Sequence, residues 1–360
     1  MGDYVELHCH SAFSLLDATS TPEALVARAA DLGMPALALT DHNALYGVIP
    51  FVEAAQSHGL HPIFGAEITL ESGQHLTLLV ENAAGWRNLC QLITQAQFNA
   101  PKGQAKLPFA ALAEHAAGLI CLSGCRHGPI ASALLNWDRR GAFQAARALR
   151  DLFGPERFWI ELQHHHRPDD PALIDSLISL ARHLQVGYVV TNNTHFARRS
   201  DQRLQDVLVA IRQHLTLDAA DPELRPNDEC YLKDAGRLRP LFRHDPGALT
   251  NTLRIAERCS FQLHYGLQDL PVYPAPDGLT AVAYLRQLCH AALRRHYPDL
   301  PDRACAQMQY ELQIIAQAGL ANYFLMSVAC SVSFSMTPAL SHCLMSDLAG
   351  KSARMVSRKS

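Results

Sequence analysis

The stretch Pro35-Ala36-Leu37-Ala38-Leu39-Thr40-Asp41-His42 decides the fold. Its apolar run starts after Gly33 and ends in Thr-Asp-His, which is how a strand covered on both faces reads. Upstream, Ser20-Thr21-Pro22-Glu23 opens a helix. Ser20 is placed to cap it, Pro22 suits its first turn, Glu23 can complete a capping box, and Gly33 supplies the left-handed stop. Downstream, residues 47–58 read as a helix ended by Gly59, and 62–64 as the next strand. Further out, strands are predicted over 4–8, over 75–81 after a Ser72-Gly73-Gln74 turn, and over 119–122, 157–163 and 187–191. Helices are predicted around 83–97, 108–116, 128–135, 138–152 and 172–184. About seven strands alternating with helices predict parallel βα units, an α/β architecture rather than a sandwich. From Ser200 onward strands become rare: helices are expected over 201–213, 246–259, 280–296 and 302–318, with a mostly looped 224–233 and a proline-rich connector over 270–276.

Composition narrows the function classes. The 360 residues are 48% hydrophobic and 18% charged, with a net charge of −3. That excludes a disordered chain and one held to nucleic acid by charge over its whole surface, while leaving room for a local basic groove. No window reaches the roughly 18 uninterrupted apolar residues of a membrane span. The acidic start, MGDYVELHCHS, is not a secretory signal. Ten cysteines without a CxxC pair read as reduced, cytoplasmic thiols. Nineteen histidines stand out, because histidine is the commonest metal ligand.

In parallel βα folds function gathers at the carboxyl ends of the strands. The first strand ends in His8-Cys9-His10, with Asp17 close behind; the second ends in Thr40-Asp41-His42 and the third in Gly65-Ala66-Glu67. His75 opens the next strand, Cys121 lies in LICLS, and Asn192-Asn193-Thr194-His195 follows the last. Imidazoles, carboxylates and thiols are the side chains that ligate zinc or manganese. An HxH pair on extended chain points both rings to one side. Taken singly, each has a plainer reading. Asp41 could cap a helix, Cys121 could be a small core residue, and His75 could be the exposed start of a hairpin strand. Recurrence in phase with the strand ends is what favours a site. His164-His165-His166, followed by Arg167-Pro168-Asp169-Asp170, reads instead as a solvated loop, and Arg198-Arg199 as a helix entry.

The segments HCHSAFSLLD (8–17), ALALTDHNALYG (36–47), GAEITL (65–70), HLTLLVENAAGWRNLCQL (75–92) and VTNNTHFARRSDQRLQDVL (190–208) together resemble the PHP (polymerase and histidinol phosphatase) domain. They are most similar to the amino-terminal PHP domain of bacterial C-family DNA polymerases, the alpha-subunit type. The 71–74 turn, TNNTH, LRPNDECYLK and IAERCSF resemble its error-prone, damage-inducible branch. The resemblance runs from about residue 3 to residue 325 and implies a (β/α)7 barrel followed by a mainly helical segment. It implies a PHP barrel over 1–200, a helical C-terminal part of that domain over 201–269, the start of the polymerase palm over 270–326, and a non-matching tail over 327–360. That tail carries nine serines and four basic residues against one acidic.

By position the resemblance implies up to three Zn²⁺ or Mn²⁺ ions: His8, His10 and Glu67 for one, Glu67, His75 and Cys121 for a second, and Asp17, His42 and His195 for a third. Asn193 stands where the family has an aspartate that completes the first. A neutral amide is a poorer ligand for a hard cation, which lowers the expected occupancy there. The full-length family carries out DNA-directed DNA synthesis in damage tolerance and repair, with DNA and other translesion-synthesis or replication subunits as partners. It uses Mg²⁺ at palm aspartates this sequence lacks. Where a GRGSAAN-type segment should follow GLANYFL (319–325), the chain reads MSVACSVSFSMTPALSHC, as a truncation or frameshift would leave it. The expected chemistry is therefore metal-dependent phosphoester hydrolysis of the 3′–5′ exonuclease kind, with polymerisation absent. Two other readings stay open: a non-catalytic scaffold or partner-binding barrel, and a stand-alone PHP phosphatase, which leaves 224–325 unexplained.

Overall fold

The computed structural model describes residues 3–334, apart from 99, 102, 221–223, 265–270, 298 and 300. Most of the tail, and most of the proline-rich connector's approach, lie outside the described residues. The chain divides into two compact units, the break falling after Leu263. The first begins with α1 (Pro22–Asp31), β1 (Ala36–Leu39), α2 (Val48–His58), β2 (His61–Thr69), β3 (His75–Val80) and α3 (Ala83–Phe98). It goes on through α4 (Ala111–His115), β4 (Leu119–Leu122), α5 (Pro129–Leu135), α6 (Arg139–Phe153), β5 (Phe158–Leu162), α7 (Asp170–Leu184) and β6 (Gly187–Val190). After β6 come α8 (Gln202–Gln213), α9 (Ala235–Leu238) and α10 (Gly247–Arg258).

The fold is mixed α/β, a curled six-stranded sheet in sequential order surrounded by helices. β1 and β2 are parallel, as are β4, β5 and β6, but β3 runs antiparallel to both β2 and β4. Strand–helix alternation alone predicted parallel units throughout. The turn at residues 72–74 overrides it, because a parallel crossover needs a dozen or more residues. Residues 4–8, read as a strand, make isolated bridges instead. Ala38 and Thr40 donate to the Glu6 and Cys9 carbonyls at 2.9 and 2.8 Å. On the other flank His10 donates to Thr194 and Thr194 to His8, at 2.8 and 2.9 Å. This extended segment links the two edges of the sheet. The cap of α1 also differs: Thr21 accepts from Ala24 N–H, while Ser20 Oγ accepts from Ala197 N–H at 2.8 Å.

Period-two alternation sorts the strands into two apolar layers. Val5, Leu7, Ala36, Ala38, Ile63, Leu79, Ile120, Leu122 and Val189 point inward and meet Ile255 of α10 and Cys259 just past its end. α10 covers the end where the parallel strands begin, with Val5 N–H on Thr252 Oγ1 and His61 on the Cys259 carbonyl. Leu37, Leu39, Phe64, Leu78, Cys121 and Ile160 point outward to the helices. The opposite end is left for polar side chains. In the second unit α11 (Ala281–His296), α12 (Asp302–Gln317) and α13 (Ala321–Phe334) pack around Leu285, Leu312, Ala321 and Leu325. Among the described residues, no helix is long and apolar enough to cross a membrane.

Candidate metal centre

Glu67, buried near the end of β2, is the hub. Its Oε1 lies 3.5 Å from His8 Nε2 and 3.3 Å from His75 Nδ1, and its Oε2 lies 2.9 Å from His42 Nδ1 and 3.5 Å from His10 Nε2. Asp17 Oδ2 extends the ring to His42 Nε2 at 3.3 Å and His195 Nε2 at 2.8 Å. Three overlapping sets therefore have converging ligand atoms: His8–His10–Glu67, His42–Glu67–His75 and His10–His42–His195. The backbone bends to present them. Leu16, Asn43 and Asn193 have φ of 59°, 48° and 44°, each within two residues of a ring member. Asn tolerates this region, whereas at Leu16 it costs about 1–2 kcal/mol.

The donor atoms suit a cation. His195 Nδ1 faces the Asn193 carbonyl at 2.8 Å and so carries the proton, leaving a bare lone pair on Nε2. That nitrogen and Asp17 Oδ2 are buried, 2.8 Å apart, and neither has an aligned hydrogen-bond partner. Two electron-rich atoms converging without a proton are what a divalent ion joins. Burial, with Arg225 nearby, pushes His195 down to about 4, and burial beside His195 and His42 holds His10 well below the usual range. Burial also disfavours the charged form of His8 and His42, but Glu161 and Glu67 around one, and Glu67 and Asp17 around the other, lift both to about 10. Protons hold there the positions a metal would take.

Supporting residues lock the ring in place. Glu161, buried in β5, accepts from His8 Nδ1 at 2.6 Å, from Gln163 Nε2 at 2.7 Å, and from Thr191 Oγ1. This is the carboxylate–histidine arrangement that leaves Nε2 for a metal. Asp41 accepts from Ser11 and Ser14, fixing the 11–17 loop rather than capping a helix. Arg212 of α8 holds Asp17 Oδ1 at 2.7 Å. Sequence reading missed Glu161, Arg212 and Arg225; the only signal for Glu161 was a charged residue inside an apolar strand.

His8, His10, Asp17, His42, Glu67, His75 and His195 come together as expected, but Cys121 does not. It sits mid-strand on the outward face, packed in the apolar layer, with its Sγ 3.5 Å from the Leu122 carbonyl. The thiol at the ring is Cys125, just past β4, with Sγ 3.6 Å from Glu67 Oε1. The strand's alternation decides between them, because an outward residue cannot reach the inner end. Asn193 is buried beside the ring with its Oδ1 unpartnered. The His164–His166 loop is not simply solvated: His165 is buried, bonded to the Asn192 carbonyl at 2.8 Å, while His166 is exposed. Arg198-Arg199 does enter a helical turn, and Arg199 pairs with Glu229. Near this loop, burial raises the Cys230 thiol, but His165 and Arg225 pull it down to about 6.

Residues 6–165 match the PHP domain family. Over 90% of its length the chain is 40% identical to the error-prone DNA polymerase of Symbiobacterium thermophilum, covering 31% of that protein. It is 39% identical over 89% of its length to that of Mycobacterium bovis, again covering 31%. The DNA polymerase III subunit alpha of Treponema pallidum is 34% identical over 89% of the chain, with 29% of that protein covered. The chain thus spans about a third of the length of these curated relatives.

Proposed function

Because this chain carries a PHP domain and is similar to error-prone DNA polymerases along nine tenths of its length, we infer that its ring of histidines and carboxylates is a metal-dependent phosphoesterase site acting on DNA, by removal of nucleotides from a 3′ end. The observation that carries this reading is the convergence of His195 Nε2 and Asp17 Oδ2 with no proton between them. His8, His10 and Glu67 would hold one ion, Glu67, His75 and Cys125 a second, and Asp17, His42 and His195 a third. Bound zinc or manganese supplies an acidified water and stabilises charge on the phosphoryl oxygens. Glu161 keeps the proton of His8 on Nδ1, Glu67 stands between two ligand sets, and Arg212 fixes Asp17. No side chain in the ring needs to act as nucleophile. In this reading nucleotidyl transfer belongs to other parts of the longer relatives, and replication or translesion subunits are partners of the whole protein.

The test is digestion of 3′-labelled single-stranded DNA by the wild type, His8→Ala and Asn193→Asp, with added Mn²⁺ or Zn²⁺. Metal-dependent digestion that His8→Ala abolishes and Asn193→Asp enhances is expected. Equal background in all three proteins would reject hydrolysis. A second reading, a partner-binding barrel, draws on the exposed apolar face of α8, where Leu204, Val207 and Ile211 follow helical spacing. Less than about one metal per purified chain would favour it, since correctly placed ligands bind zinc tightly.

A further inference from the structure

A cavity of about 60 Å³ opens beside the ring. Arg126, Arg167 and Arg225 line it together with His165, Gln163 and Asn193, and no carboxylate does. Arg126 is neutralised by Asp169 and Asp170, and Arg167 lies 3.9 Å from Asp169. Arg225 is paired only in part. Its Nε is buried without an acceptor, its Nη1 reaches only the soft Cys230 Sγ at 3.6 Å, and its Nη2 stands 3.8 Å from an Asp17 carboxylate that Arg212 already holds at 2.7 Å. Gln163 Oε1 and Asn193 Oδ1 are buried and unpartnered too, in side chains less than a tenth exposed.

A guanidinium N–H and two amide oxygens left without partners are costly unless something satisfies them. The complement is an anion that accepts along the guanidinium fork and carries a hydroxyl to donate to an amide oxygen. Inorganic phosphate and a phosphate monoester do both; a phosphodiester, chloride and carboxylate lack the donor. The volume is several times the ~10–15 Å³ that one water needs, room for a phosphoryl group. We propose that this cavity, which borders the metal ring at Cys125, is a subsite for a phosphate monoester, and that it takes the terminal phosphate of a nucleic-acid strand. The choice of nucleic acid as the source rests on the hydrolytic reading above; the affinity for phosphate does not.

The test uses the full chain stripped with EDTA, so that it is independent of catalysis. Inorganic phosphate and the 5′-phosphorylated dinucleotide pTpT are titrated by calorimetry into the wild type, Arg225→Gln, Arg167→Gln and the exposed-helix control Arg140→Gln. Arg225→Gln is expected to weaken both ligands by about tenfold, and the half-exposed Arg167→Gln, which leaves folding undisturbed, by a smaller factor. Arg140→Gln should match the wild type, and pTpT should bind more tightly than inorganic phosphate. Unchanged affinity in both Arg225→Gln and Arg167→Gln, or no saturable binding to the wild type, overturns the subsite. Equal affinity for the two ligands overturns the nucleic-acid source. Loss of DNA hydrolysis with phosphate binding intact would reject the catalytic reading alone.

Discussion

Glu161→Gln isolates a single hydrogen bond behind the metal ring. In the native site Glu161 Oε1 accepts the His8 Nδ1 proton at 2.6 Å, and His8 Nε2 points to Glu67 and His10. The amide keeps the volume, but His8, Gln163 and Thr191 all meet the one atom Oε1, so a single amide group must replace it toward all three. If the N–H takes that place it donates to Nδ1, moves the imidazole proton to Nε2, removes the lone pair a metal needs, and forfeits the Gln163 and Thr191 hydrogen bonds. Retaining the ligand tautomer instead forfeits a charge-assisted hydrogen bond, worth about 1.5–3 kcal/mol against about 1 for a neutral one. The difference of about 0.5–2 kcal/mol corresponds to metal binding weaker by about 2–30-fold, overlapping the range for partners that orient metal-ligating histidines. Competition against a fluorescent zinc chelator measures it, with circular dichroism confirming that the barrel persists. An affinity within twofold of wild type, in a folded protein, would refute the claim that Glu161 sets the His8 tautomer.

Cys125→Ser should lower the zinc content of the purified protein. Cys121→Ser should leave it unchanged while costing about 1–3 kcal/mol in urea unfolding for a hydroxyl buried among aliphatic side chains; elemental mass spectrometry that shows the reverse would return Cys121 to the site. In the metal-free protein His8 and His42, lifted to about 10, contribute stability that is complete below the ordinary imidazole value and lost as pH rises through about 10. At pH 7 both hold a proton that zinc must displace, so binding should release about two protons and tighten with rising pH. Calorimetry in two buffers of different ionisation enthalpy reads this directly, and identical apparent heats would contradict it. Gly85→Ala would set its Cβ 1.8 Å from the Gly118 carbonyl oxygen, so α3 must shift from the sheet. A loss of about 1–3 kcal/mol is expected, and an unchanged urea midpoint would argue against that close approach.

Much of the fold was legible because the strands are short apolar runs ending in polar clusters. Gly33 and Gly59 mark helix ends and do adopt left-handed φ of 71° and 64°. Seven of the ring residues follow from the same phase argument. Three things were not legible. The direction of β3 depends on reading residues 72–74 as too short for a crossover, which strand–helix alternation alone does not weigh. The choice between Cys121 and Cys125 depends on which face of a four-residue strand each occupies, and a fully apolar strand gives no alternation by which to phase it. Glu161, Arg212 and Arg225 depend on contacts between residues 153, 195 and 208 positions apart in the chain, for which no local pattern exists.

The extended segment that joins the sheet edges has a consequence for biosynthesis. Residues 8–10 are made long before the partners that complete their pairing. His10 waits for Thr194 and Val5 for Thr252, so the seam between residues 8–10 and the β6 side cannot close until Thr194 has been made. Until then the free side of residues 8–10 is an open template for foreign strands, and His8 and His10 are held in no common geometry with His195. Metal loading is thereby deferred to the end of synthesis of this unit, and fusion partners at the amino terminus sit beside the seam that closes it.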